Sequence, residues 1–115
     1  MNNINFWQTA LEERYLVMDG CLSDEHDDYE SSYELKMYEA GIRCCTDSDS
    51  SCETIGECPD NATTYDHAVA KCAAVGKSLC SESQMQNDKC CGKGGNCDHF
   101  HVWTSSKRFQ SKKTF

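Results

Sequence analysis

The sequence predicts a small α+β domain held together by disulfides, with two or three short helices and a small antiparallel sheet. Three observations lead there. Ten of the 115 residues are cysteines, an even number. Mean hydropathy is −0.70 and the apolar share is 38% with the cysteines counted in, so the aliphatic core is thin. A chain of this length buries only about two thirds of its unfolded surface, whereas each bridge typically contributes about 2–4 kcal/mol. Cys21, Cys44, Cys45, Cys52, Cys58, Cys72, Cys80, Cys90, Cys91 and Cys97 are therefore all expected in bridges. Zinc is the rival reading, but structural zinc sites favour cysteines two to four residues apart. Apart from the vicinal pairs 44–45 and 90–91, every gap here holds five residues or more. The vicinal pairs suit bridges that leave in opposite directions. The pairing itself stays open.

Residues 3–18 read as an amphipathic helix, with Trp7, Leu11, Tyr15 and Met18 at helical spacing. This gives an N-terminal extension over 1–20, followed by a stapled domain over 21–105. Residues 23–34 form an acidic loop. A solvated loop is the favoured reading and calcium the sharper one. Asp47, Asp49 and Ser51 open like a calcium loop, but Cys52 and Cys58 stand where the motif needs Gly and Glu. No cofactor is therefore assigned.

Leu35 and Met37 alternate with Lys36 and Tyr38, a strand signal over 33–45, and Gly41 allows a turn or bulge. Residues 46–61 read as polar loop. Residues 64–75 read as a helix, started by Thr63 with Asp66 and ended by Gly76. Ser81 with Gln84 starts a second short helix that runs to about Asn87. Gly92–Gly95 is a loop and His99–Thr104 a strand. The tail 106–115 is basic and polar, and is expected to fray or to lie on a neighbour.

Charge narrows the partners. Residues 1–60 carry fifteen acids against three bases, and residues 61–115 carry four against eight. Nucleic acid is a poor partner for such a chain, while the two halves suit mutual attraction within or between molecules. No apolar stretch reaches membrane-spanning length. A secretory signal is not evident in residues 1–19, so the cysteines alone argue for an extracellular, cell-surface or other oxidising setting, and for a longer gene product.

Few residues suggest chemistry. Asn61-Ala62-Thr63 is a glycosylation sequon. His99 and His101 alternate on the expected strand and are the candidate metal ligands, although two solvent-facing imidazoles are the plainer reading. No free cysteine is required, and neither a Gly-x-Ser-x-Gly elbow nor a phosphate loop is present. The expectation is a non-enzyme.

Several motifs together resemble a known module: Gly41-Ile42-Arg43-Cys44-Cys45, Thr64-Tyr65-Asp66-His67-Ala68-Val69-Ala70-Lys71-Cys72, Gly76-Lys77-Ser78-Leu79-Cys80, Cys90-Cys91-Gly92 and Val102-Trp103-Thr104-Ser105. In this order they are similar to a cysteine-rich module of secreted or surface proteins of marine algae and other protists, over roughly residues 41–105. A more distant likeness is to C-type-lectin-like domains, in which a Tyr-x-x-Ala-x-x-x-Cys helix precedes a Gly-x-x-Leu turn and a Trp-bearing strand. That likeness implies sugar or protein binding, but the Glu-Pro-Asn, Gln-Pro-Asp and Trp-Asn-Asp signatures of calcium-dependent sugar binding are missing.

Three functions compete. The first is a structural or assembly subunit of an extracellular or surface structure, acting through a protein partner or self-association. Its candidate contacts are Trp7, Leu11 and Tyr15 together with Lys107, Arg108, Lys112 and Lys113. The second is a lectin-like recognition module for a glycan or protein, with Tyr65 and Trp103 as contacts, although Trp103 suits the core better. The third is a secreted, pheromone-like signal.

Overall fold

The computed structural model describes residues 11–22, 31–48 and 51–111. Among these, two three-stranded antiparallel sheets and two helices are present. In chain order the elements are β1 (Leu11–Asp19), β2 (Ser31–Glu34), β3 (Ile42–Cys45), β4 (Cys52–Ile55), α1 (Tyr65–Ala74), β5 (Ser78–Leu79), α2 (Glu82–Gln86) and β6 (His101–Ser111). The first sheet has the order β2-β1-β6 and the second β4-β3-β5. The fold is thus a small disulfide-rich α+β domain.

β1 corrects the helix expected over 3–18. Tyr15, Leu16, Val17 and Met18 are all buried, and a run of four apolar residues carries no helical or strand period of its own. Tertiary structure settles it: β1 is the central strand, and alternate side chains enter opposite cores. Tyr15 and Val17 pack with Ile42, Cys44, Ala68, Cys72 and Trp103, while Leu16 and Met18 pack with Cys45, Cys80, Met85, Cys90 and Val102. Trp7 and the rest of residues 1–10 lie outside the described residues, as do residues 23–30 of the acidic loop and Asp49.

The tail is also corrected. β6 runs on to Ser111 and pairs Lys107 with Tyr15, Phe109 with Glu13 and Ser111 with Leu11. Residues 107–111 therefore complete a ribbon with β1 instead of hanging free; Lys112 and Lys113 fall outside the described residues. Between the pairs Tyr15–Lys107 and Val17–Trp103 the register shifts, with two more residues on β6 than on β1. An even insertion keeps the two faces in phase. The shift would orphan the Leu16 carbonyl, and the buried Thr104 hydroxyl donates to it at 2.9 Å.

Elsewhere the expected strand over 33–45 becomes two, β2 and β3, with a turn between them in which Tyr38 N–H donates to Leu35 O at 3.0 Å. Part of the expected loop 46–61 is the strand β4, paired with β3 from Ile42–Ile55 to Cys45–Cys52. Helix α1 starts at N-cap Thr64 without a side-chain cap; the Thr63 hydroxyl instead lies 2.7 Å from His67 Nδ1. Gly76 follows the last turn at φ +74°, where its N–H donates to Ala73 O. The Ser81–Gln84 capping box is complete on both sides.

All ten cysteines are bridged: Cys21–Cys91, Cys44–Cys72, Cys45–Cys80, Cys52–Cys90 and Cys58–Cys97. The vicinal pair on β3 does diverge. Cys44 faces the α1 side and ties β3 to that helix, while Cys45 faces the other core and ties β3 to the segment after β5.

A candidate contact face on the β1–β6 ribbon

One side of the ribbon is set by register. Leu11, Glu13, Tyr15 and Val17 share a face, and their partners Ser111, Phe109, Lys107 and Trp103 share it with them. Toward the centre of the sheet this face is roofed by α1 and is buried. Toward the open end of the ribbon nothing among the described residues covers it, and Leu11 and Phe109 are 65% and 64% exposed.

The floor of the covered part is aromatic. Tyr15 stacks on Tyr65 with centroids 3.8 Å apart, and Tyr65 meets Trp103 edge-on at 5.4 Å. Tyr38 is also T-shaped to the indole, with centroids 6.0 Å apart. Trp103 is 0% exposed, and its Nε1 donates to Thr63 O at 2.7 Å. Of the two aromatics put forward for recognition, Trp103 is therefore core. Tyr65 is part-exposed and borders a small hollow with Val69, Lys77 and Ser105.

Charged side chains rim the same face. Lys107 Nζ lies 3.4 Å from Glu13, and Lys36 Nζ lies 3.3 Å from Asp66 and 5.8 Å from the Tyr15 ring centroid. The Tyr15 hydroxyl donates to the Glu13 carboxylate. That bond, joined by Lys107, holds the Glu13 carboxyl below the usual carboxylate range. Burial, and then the same bond, push the Tyr15 phenol above the usual tyrosine range. Burial raises Tyr65 as well.

Between the rim and the β2–β3 turn lies a shallow groove of about 630 Å³ lined by Glu13, Leu35, Lys36, Met37, Thr64 and Asp66. Met37 is 78% exposed. Glu13 thus has exposed Phe109 and Leu11 beside it on the ribbon and exposed Leu35 and Met37 with it in the groove.

Of the residues the sequence singled out for partner contact, Leu11 is on this face and exposed, whereas Tyr15 is buried in it. Lys107 is on the face and paired to Glu13. Arg108 lies on the opposite face, over the Tyr33 ring at 4.1 Å. The two candidate metal ligands part company. His99 sits in a turn and borders a hollow with Gly92, Asn96 and Asp98, because the strand begins only at His101. His101 Nδ1 lies 3.1 Å from the Tyr38 hydroxyl and its Nε2 lies 3.9 Å from Asp19. Asn61 is exposed, with its side-chain oxygen accepting from Glu57 N–H at 2.8 Å.

Arg43 was missed as a key residue. It is 0% exposed, yet Ile42 and Cys44 on either side give only the signal of a buried strand. Its guanidinium donates to Thr54 Oγ1, Gly20 O, Cys90 O, Gly94 O and Asp98 Oδ1. It therefore gathers the loop at 90–98, the end of β1 and β4 around one buried charge. Gly20 leaves room for it: a Cβ there would stand 2.1 Å from Cys97 O and 2.7 Å from the guanidinium.

In comparisons with known proteins, no family model, no curated protein and no solved structure matches the chain.

Proposed function

We propose that this chain is a non-enzymatic assembly subunit of an extracellular or cell-surface structure, acting through protein–protein contacts made by the open end of the β1–β6 ribbon. Its five bridges suit an oxidising setting, and no helix among the described residues is long and apolar enough to cross a membrane. The observation that carries the reading is that exposed apolar side chains lie on both sides of Glu13, with Phe109 its partner in the ribbon and Leu11 next along the same face, and Leu35 and Met37 beside it in the groove. Scattered apolar side chains are ordinary on a surface, whereas a group on one face with a polar rim favours a protein contact. Phe109 and Met37 are suited to anchor such a contact, since aromatic residues and Met are enriched at interface centres. The exposed Asn61 sequon fits a glycoprotein and lies outside this cluster.

Sedimentation velocity tests the reading. The full chain is expected to self-associate as concentration rises, and Met37→Lys with Phe109→Lys, which sets a cation opposite Glu13, is expected to leave a folded monomer. Association that survives both substitutions would place the contact elsewhere. A strict monomer that binds on a glycan array through Tyr65 would favour the lectin-like reading. Support for that reading is the α1 helix with its Gly76–Cys80 turn and the part-exposed Tyr65.

A further inference from the structure

Two of the bridges, Cys45–Cys80 and Cys52–Cys90, lie against each other in the core behind β3 and β4. Their four sulfurs all fall within 4.8 Å of one another. Across the two bridges, Cys80 Sγ is 3.4 Å from Cys90 Sγ and 3.7 Å from Cys52 Sγ, and Cys45 Sγ is 3.9 Å from Cys90 Sγ. A tetrahedral zinc with Zn–S bonds of about 2.3 Å spaces its four sulfurs about 3.8 Å apart. Three of the four contacts between the bridges therefore already lie close to the spacing of a four-cysteine zinc site, and the fourth, Cys45 to Cys52, is within 4.8 Å. Only the two bonded pairs, at about 2.05 Å in any disulfide, would have to open.

We infer that these four cysteines form a zinc site in the reduced chain, so that two bridges and one metal ion are alternative ways of closing the same core. The backbone that presents them does not rest on the bridges alone. Cys45 and Cys52 are cross-strand partners in the β3–β4 ladder. Cys80 N–H donates to Arg43 O at 3.3 Å, and Cys90 O accepts from the Arg43 guanidinium at 2.6 Å. Cys90 also closes the segment that begins with the capped helix α2. The four residues come from four separate stretches of chain, which is why their spacing in sequence carries no zinc signature. All four are buried, which would shield a bound metal from water. Arg43 adds a positive charge beside Cys90, a counterweight to the two negative charges of a zinc tetrathiolate.

The chemistry balances with a trialkylphosphine as reductant. Each bridge takes two electrons from one phosphine, which leaves as the phosphine oxide with its oxygen from water, and the two sulfurs take up the two protons of that water. Zinc then displaces four protons from the four thiols. Two molecules of an oxidised small-molecule disulfide reverse the exchange: they take the four electrons, leave as four small thiolates, re-form both bridges and release the ion.

The test uses the full chain, reduced with such a phosphine at neutral pH without oxygen, and titrated with cobalt(II) and then zinc. The expected result is one cobalt per chain with the absorption of a tetrahedral tetrathiolate, displaced by zinc. Alkylation of the metal-bound protein should label Cys21, Cys44, Cys58, Cys72, Cys91 and Cys97 and spare Cys45, Cys52, Cys80 and Cys90. The double variant Cys45→Ser/Cys80→Ser, which keeps four bridges when oxidised, should lose the absorption after reduction. Its counterpart Cys44→Ser/Cys72→Ser should keep it. No stoichiometric metal, including the case of a reduced chain that unfolds and binds none, overturns the inference. So does protection of a different set of cysteines, or a Cys45→Ser/Cys80→Ser variant that binds as the parent does.

Discussion

Arg43 and Asp98, separated by 55 positions in sequence, form an ion pair at 2.8 Å in which the guanidinium is fully buried and the carboxylate side chain is 32% exposed. Asp98 also accepts from Gly92 N–H at 3.1 Å, so one carboxylate fixes both the arginine and the glycine-rich loop. Removing the arginine would leave buried carbonyls without a donor, and removing one partner of a buried pair typically costs about 3–5 kcal/mol. Arg43→Met is expected to destabilise by that amount in chemical denaturation. Asp98→Asn, at a part-exposed position that keeps an acceptor, should cost less, on the order of 1–2 kcal/mol. Equal, small losses in both variants would contradict the role given to Arg43.

Trp103 is expected to behave as core. Trp103→Ala should cost about 3–5 kcal/mol, read from urea or thermal unfolding. Trp103→Phe keeps most of the burial but loses the donor to Thr63 O, and should cost less. An alanine variant of near-parent stability would move the indole from core to surface.

Deleting residues after Ser106 has a different expected outcome from the loss of a free tail. It removes the pairing of Lys107–Ser111 with Leu11–Tyr15. Cross-strand pairs contribute roughly 0.2–1 kcal/mol each, so a fall in stability of about 1–3 kcal/mol is expected. High salt should reproduce little of it, because the Lys107–Glu13 pair is exposed and screened already. A truncated chain that melts with the full one would show that the ribbon's open end adds nothing to folding.

Stability should fall at alkaline pH. Tyr15 and Tyr65 have raised folded-state values, so the folded protein keeps their protons where the unfolded chain releases them. Their contribution is complete below the ordinary tyrosine value of about 10 and is lost as pH climbs above it. Ultraviolet titration of phenolate should show two tyrosines ionising late, and Tyr15→Phe should remove one of them and flatten the decline. Glu13 works in the opposite direction: its lowered value gives a contribution present above the usual carboxylate range and lost on acidification through it. Glu13→Gln should reduce the acid limb and also weaken the alkaline one, because the Glu13 carboxylate helps to raise Tyr15 and Tyr65, leaving mainly the part that burial causes.

The sequence by itself determined the features that depend on neighbours in the chain or on simple counting. The even set of ten cysteines was enough to expect bridges, and the divergence of Cys44 from Cys45 follows from the alternation of a strand. The Ser81–Gln84 box and the helix ended by Gly76 are local hydrogen-bonding and steric matters, and they stand where the residues placed them. Tertiary structure decided the rest. The run Tyr15–Met18 is apolar throughout, so only the presence of a core on each side of β1 makes it a strand. Residues 107–111, Lys-Arg-Phe-Gln-Ser, carry no strong strand pattern and become a strand because β1 offers them an edge to pair with. His99 and His101 were brought to different surroundings by the turn that delays the start of β6. Arg43 became the hub of the domain because three separate stretches of chain present their acceptors to it, and the four-sulfur cluster likewise gathers distant segments. Both are contacts between distant segments, and no local rule of spacing encodes them.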